Sequence, residues 1–559
     1  MATKADDGSS RISRVSATAP FELEDDRMTD YDGAASPHED LALAPGEPLA
    51  LMSKEAFGLA VQYGARGLLV AGISSTGASI FGNYLNVDQS QLQAFYVDMT
   101  LCWAFRVFFG VISDSIPIFG YRRKSYMLIG WSITFICLVI MACIPLGRPY
   151  CSDPARCALA MKLGGVHSVD FGDTFDVSAP SRGLPFIVLT VFLSLGCVLA
   201  TSASDALLVQ YARREPISIR GRTQCALYAV RGLGQMAAYA FPALLLNGPS
   251  YQGPFSFEIQ PNVVYIALSI PAAIAVLNTF YAIVEYPTPP IPAGVYFQGL
   301  WELVQKRVTW QLIVFSSLVQ AFSSVYPTVS LPGTADISPL AAAVFSIANS
   351  LVFSLVLVGV AFYGLHWNWR WAIAISLVAS LALNSVVSFL VIWDATRNGW
   401  ITYSLSMVNV IPNAVGFVVE FFCVIEIAEM GNEAAIFGLF ATISSIMPSF
   451  MAIWVAWVDS AFDVGYEQVA KDTPEVRMNI TYVYVISYGV QLVTLAFLFL
   501  LPPQKNSVQE LKRYGGSQPK AAVATLVVVF GCLVVCVVSN LLSIFSKTWC
   551  LRIAGGQGC

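Results

Sequence analysis

An apolar run of about 20 residues leaves a chain little choice of structure. In lipid its backbone N–H and C=O groups find no water, so they must bond to one another within the run, which becomes a helix. Rising about 1.5 Å per residue, such a helix crosses a hydrocarbon core of roughly 30 Å. Runs of this kind recur along the sequence, among them 184–204, 262–285, 370–393 and 521–546. Hydrophobic residues make up 56% of the chain and charged residues only 12%. Soluble domains hold about 25% charged residues, so an all-α membrane protein is expected.

Membrane spans are predicted at about 56–82, 89–113, 125–145, 184–208, 222–246 and 262–285. A second set follows at about 309–330, 340–364, 370–393, 400–428, 434–457 and 478–501. Between the sets, 286–308 carries Pro287, Pro289, Pro290 and Pro292 ahead of a short amphipathic piece, a central cytosolic loop that divides 12 spans into six (56–285) and six (309–501). The run 521–546 is read as an accessory transmembrane helix, with an interfacial or re-entrant hairpin as the competing form. Residues 1–50 are polar and acidic and match neither a secretory nor a transit peptide; a disordered cytosolic tail is expected there.

Lysine and arginine set the orientation. With the N-terminus inside, cytosolic connections hold Arg122, Arg123 and Lys124, then Arg213, Arg214, Arg220 and Arg222, and later Lys306, Arg307, Arg370, Lys512 and Arg513. The opposite loops, 146–183 and 458–477, are longer and acid-rich. The net charge of −5 lies largely in the tail and loops, and no basic patch points to nucleic acid. Most of the 12 cysteines sit in apolar runs without metal-ligand spacing, while Cys151 and Cys157 share an outer loop in which they can pair. The sequence carries no Walker loop, nucleophile constellation or metal cluster, so neither ATP drive, enzymatic catalysis nor a cofactor is expected.

Chemistry concentrates between the second and third spans, in Gly110-Val-Ile-Ser-Asp114-Ser-Ile-Pro-Ile-Phe-Gly120-Tyr-Arg122-Arg123-Lys124. Gly110 permits close helix packing, Asp114 follows four residues on, and a tight turn delivers the cations. Asp114 can cap the next turn or pair with Arg122 or Arg123, latching a moving helix interface; a solvated topogenic loop is the plainer alternative. A weak internal repeat accompanies it. Gly221-Arg-Thr-Gln-Cys-Ala-Leu-Tyr-Ala enters the fifth span as Gly431-Asn-Glu433-Ala-Ala-Ile-Phe-Gly-Leu-Phe-Ala enters the eleventh. Related halves are the construction of an alternating-access transporter.

The pattern Gly-x-x-x-Asp…Gly-x-Arg-Arg resembles the loop motif of the major facilitator superfamily. The fuller string Ser113-Asp114-Ser-Ile-Pro117-Ile-Phe-Gly120-Tyr121-Arg122-Arg123 is similar to the folate–biopterin transporter family. So are Ser204-Asp205-Ala206-Leu207, with Tyr211, Arg213, Arg220, Gly221 and Gln224 leading into Arg231-Gly232, and Glu429-Met-Gly431-Asn-Glu433-Ala434. Arg106-Val107 departs from the family's usual Lys-Pro. The resemblance covers roughly residues 56–501 and implies a major-facilitator-type bundle of 12 transmembrane helices in two six-helix halves, here with one extra C-terminal hydrophobic helix. It implies a secondary transporter of folate, pterin or a related small anionic metabolite, coupled to protons, in the plasma membrane rather than an organelle. A carrier of S-adenosylmethionine or an amino acid is the alternative within the class. A non-transporting receptor or sensor is the alternative outside it, and neither tail supplies the soluble module it would favour.

Ionisable groups inside spans are costly, so each is a functional candidate. Arg231 lies two to three turns into the fifth span. A guanidinium grips a carboxylate through two parallel bonds, which fits a folate's glutamate tail; a buried interhelical ion pair is its other possible role. Arg106 lies near the cytosolic end of the second span, and Asp98, eight residues earlier, comes within about 80° of the same helix face. Asp205 and Glu420 are carboxylates for the donor-rich edge of a pterin or for a proton. Asp205 can instead pair with Arg213 or Arg222 as a second latch. Tyr228 offers a stacking face. Glu433 completes a gating set with Gly110, Asp114, Arg122, Arg123, Arg213 and Arg222, while Glu426 and Glu429 read as a solvated face.

Overall fold

The computed structural model describes residues 42–152, 157, 175–251, 253–329, 339–462, 464–544, 548 and 551. The tail expected over 1–50 lies outside them up to residue 41. Residues 42–50 lie against the bundle: the N–H groups of Leu43 and Ala44 donate to the Arg213 carbonyl, and Leu49 is buried.

The first expected half is built from α1 (Lys54–Gly77), α2 (Gln89–Ala104), α3 (Arg106–Ser115), α4 (Lys124–Cys143), α5 (Leu184–Arg213), α6 (Arg222–Leu245) and α7 (Pro261–Tyr281). The amphipathic piece is α8 (Ala293–Gln305). The second half comprises α9 (Arg307–Ser323), α10 (Pro339–Gly359), α11 (Trp369–Ile392), α12 (Gly399–Val408), α13 (Val410–Ile427), α14 (Glu433–Asp459), the short α15 (Tyr466–Lys471) and α16 (Pro474–Val493). After it come α17 (Lys505–Tyr514) and α18 (Pro519–Ile544).

Among the described residues, 11 helical stretches are long and apolar enough to cross a membrane. Two expected spans fall outside that set for physical reasons. α6 carries Arg222, Gln224, Arg231 and Gln235 on its length, and α9 is 17 residues long. Two others are interrupted. The second expected span breaks at Phe105 between α2 and α3, and the tenth breaks at Asn409, whose side-chain amide reaches Asn384 at 3.0 Å. α18 is one unbroken helix of 26 residues, long and apolar enough to cross a membrane. Its buried stripe, Ala522, Thr525, Val529, Leu533 and Cys536, recurs every three or four residues and faces α2, α9 and α14. Cys151 and Cys157 are joined as a disulfide.

Backbone-to-backbone contacts position the centre of the bundle. In α1, a methyl group on Gly67 would collide with the Arg231 carbonyl oxygen, and one on Gly234 of α6 would collide with that of Gly64. In the same way Gly110 of α3 meets the Ala434 carbonyl, and Gly438 of α14 meets that of Arg106. Small residues let membrane helices approach this closely. The two segments of the weak internal repeat share one backbone feature. Gly221 and Gly431 lead into α6 and α14 with φ of +99° and +90°, a backbone conformation that a side chain resists.

Candidate functional site

The helices joined by these glycine contacts bring a charged cluster together. Asp205 of α5 is fully buried. Its carboxylate accepts from Nη1 of Arg66 on α1 at 3.0 and 3.1 Å, from the Tyr63 hydroxyl at 2.5 Å, and from Nη2 of Arg106 on α3. The expected pairing of Asp205 with Arg213 or Arg222 does not form, because two arginines from α1 and α3 already enclose it. Arg231 stands differently. Its guanidinium carbon lies 5.2 Å from the ring centres of Tyr228 and Phe417 and 5.8 Å from that of Phe353, its Nε has no hydrogen-bond partner, and no carboxylate pairs with it among the described residues. Among the described residues, Arg66 and Arg106 share Asp205 and Arg231 has no carboxylate, so this cluster of three guanidiniums carries an excess of positive charge.

Tyr228 is buried against Tyr63, Phe417 and Phe421, so its ring serves as a support for Arg231. Glu420 of α13 accepts hydrogen bonds from Ser316 and, at 2.5 Å, from Gln320, both on α9, and makes no ion pair among the described residues. The Asp98 side chain lies outside what is described. Sequence reasoning missed Arg66, Tyr63 and Trp103. Arg66 had a signal: it interrupts the apolar first span, where an ionisable group is a functional candidate by default.

At the basic end a second network ties the two expected halves. Asp114 accepts from Nη2 of Arg123 at 2.5 Å and from the backbone N–H of Ala435 at 2.8 Å, capping the N-terminus of α14 across the interface. Its carboxylate meets the positive end of that helix. Nη2 of Arg123 reaches Glu433 at 3.2 Å, and Glu433 lies 3.6 Å from Arg213. Arg122 is not part of this pair; its backbone N–H donates to Glu285, as do those of Arg123 and Lys124. Arg222 makes no ion pair among the described residues, and its Nε has no partner.

Glu426 and Glu429 do not form a solvated face. Arg220 engages Glu426 at 3.0 Å, and Lys306 and Lys512 engage Glu429 at 2.6 and 3.1 Å. Burial works against the Glu429 carboxylate, but Lys512 and Lys306 hold it below its usual range. The Lys505 ammonium of α17 donates to the carbonyls of Ile217 and Arg220, so this helix also bridges the halves. Burial pushes it down to about 8, with Glu426 opposing.

Asp114→Asn keeps the shape of the latch and removes its charge. It should leave the protein inserted while shifting the open–closed equilibrium by about 1–3 kcal/mol. Measured as initial uptake rate per inserted protein, a normal rate would retire the latch.

A profile of the BT1 family matches residues 70–522. The Folate transporter 1 of Plasmodium falciparum (isolate 3D7) is 37% identical over 68 residues, 11% of this chain and 13% of that protein, so the chain spans only a small part of this curated relative. In structure, the chain is similar to a D-xylose–proton symporter, with a TM-score of 0.54 at 15% identity over 82% of this chain and 99% of that one. A proton:xylose symporter of the major facilitator superfamily, solved with 6-bromo-6-deoxy-D-glucose, gives a TM-score of 0.55 at 14% identity over 82% and 98%. These likenesses carry the fold, and the family match covers most of the chain. A transporter architecture, the family's motif loop seated at a helix interface and a match over residues 70–522 agree: this chain is a multi-pass membrane transporter, not an enzyme, and belongs to the BT1 family of folate–biopterin transporters, with the major facilitator fold.

Proposed function

We propose that the chain is a secondary active transporter that moves folate, pterin or a related small anionic metabolite by alternating access, coupled to protons. The observation that carries this reading is the unanswered guanidinium of Arg231 in a centre where Arg66 and Arg106 already neutralise Asp205. A half-buried cation packed on aromatic rings without an anion is costly, and an anionic cargo that supplies the missing charge offsets that cost. The same excess disfavours S-adenosylmethionine, whose sulfonium adds a further positive charge. In this reading 56–285 and 309–501 are the rocking halves, 286–308 joins them, and 521–546 is accessory. The Asp114–Arg123–Glu433–Arg213 network is the latch at the cytosolic end, and Glu420, with neutral partners only, is the carboxylate available to a proton. The plasma membrane is the proposed location.

Purified protein in proteoliposomes tests this directly. Labelled folate and biopterin should accumulate under an imposed pH gradient, and S-adenosylmethionine should not. Accumulation of S-adenosylmethionine alone would replace the reading with its alternative, and uptake indifferent to the gradient would remove the proton.

A further inference from the structure

Trp103 is not among the residues that hold charge, yet the charged centre is arranged around it. The guanidinium carbons of Arg66 and Arg106 each lie 5.3 Å from its ring centre. Cations over an indole are attracted to its electron-rich face, so the ring is held in place by groups that are themselves anchored on Asp205. The same ring lines a groove of about 420 Å³ between α1, α2 and α14. That size falls in the range of about 300–1,000 Å³ typical of small-molecule sites. α18 packs along both α2 and α14, the helices that form its walls.

The opposite wall has a particular polarity. Ser444, Ser445 and Ser449 of α14 line it, and Thr100 of α2 lies beside Trp103. Three of these hydroxyls donate back to their own helix, Ser444 to Phe440, Ser445 to Ala441 and Thr100 to Tyr96, while Ser449 divides its contacts between the Ser445 carbonyl at 3.4 Å and the Cys536 thiol of α18. A hydroxyl whose proton is committed presents only lone pairs. The groove therefore combines an aromatic platform with a row of acceptors. An acyl chain gains nothing from that row, and a sugar hydroxyl uses only half its capacity there. A flat ring edged with N–H and amino groups satisfies both features.

We propose that Trp103 is the platform on which the planar heteroaromatic part of the cargo stacks, its donor edge read by Ser444, Ser445 and Ser449. The inference rests on the anionic-heterocycle reading above and adds where and how the ring is recognised. Trp103→Leu in the full-length protein should raise the KM for biopterin about tenfold, the worth of one ring stack, with kcat within about twofold. Trp103→Phe should recover most of it. A pteridine with an oxo group in place of its ring amino group should compete about tenfold more weakly, because an acceptor then faces acceptors. Titrating biopterin into detergent-solubilised protein should quench tryptophan emission in the wild type and much less in Trp103→Leu.

An unchanged KM in Trp103→Leu overturns the platform. A fall in kcat alone, shared by Trp103→Phe, assigns the ring a structural role instead. Competition by xylose or by short-chain phospholipid as strong as by biopterin hands the groove to another occupant. If the wild type transports neither heterocycle the transport reading falls, and the quenching titration still decides Trp103: quenching that Trp103→Leu abolishes upholds it, and none refutes it.

Discussion

Arg231→Ala is expected to abolish folate uptake while the protein remains as stable as the wild type or more so. The two halves of that outcome have one cause. In the empty site the Arg231 guanidinium rests on Tyr228, Phe353 and Phe417 without a carboxylate among the described residues, so its removal leaves no charge unbalanced. When an anion arrives, the same removal deletes half of a buried charge pair, a loss of about 2–5 kcal/mol, or more than roughly 30-fold in affinity. Arg231→Lys keeps the charge but not the planar fork, and should cost roughly tenfold. Folate and biopterin uptake, measured side by side in wild type and both variants, separate the possibilities. Folate carries the glutamate carboxylates and biopterin does not, so folate should suffer far more. Equal losses for the two, at normal expression, would place Arg231 in coupling and not in cargo binding.

Asp205 should behave in the opposite way. It is the one carboxylate that Arg66 and Arg106 share, it is fully buried, and it also accepts the Tyr63 hydroxyl. Asp205→Ala leaves two guanidiniums buried without an anion, and breaking a buried ion pair from one side costs about 3–5 kcal/mol. The thermal midpoint of the detergent-solubilised protein should drop sharply, and the inserted yield with it. Adding Arg106→Gln to Asp205→Asn removes one of the orphaned charges and should recover part of the loss, since residues that share a network are not additive. A midpoint unmoved by Asp205→Ala, or a double variant worse than the sum of its parts, would show that the cluster does not hold the helices together.

These contrasting fates could not have been assigned from the chain alone. Asp205, Arg106 and Arg231 were all visible there as ionisable groups inside apolar runs, and both Asp205 and Arg231 were open to a cargo role or an ion-pair role. The motif loop announced a latch, but it offered Asp114 both Arg122 and Arg123. Among the described residues Arg123 takes it, while the backbone N–H groups of both arginines are gathered by Glu285, from the end of the sixth expected span. The polarity of α6 has part of its explanation in the structure: Gln224 is buried, and Arg231 lies against Phe353 of α10 and Phe417 of α13. The break at Asn409 has a trace in Pro412, which has no N–H to give the Val408 carbonyl and whose ring crowds it, whereas the break at Phe105 has no proline or glycine beside it.

The sequence by itself determined which segments are helices, where most of them cross a bilayer, which end is basic and which family the chain resembles. Hydrophobic length, charge bias and short motifs are local properties, and lipid leaves an apolar run no other fold. The tertiary structure alone decided the partners. Asp205 meets Arg66 across 139 residues of chain and Arg106 across 99. Those meetings depend on how deeply one helix backbone sinks against the next at Gly64, Gly67 and Gly234, and at Gly110 and Gly438. A shift of one helical turn in any of those contacts would move a guanidinium by about 5 Å, enough to exchange a paired arginine for an unpaired one, and that choice separates a residue that holds the bundle from one that waits for cargo.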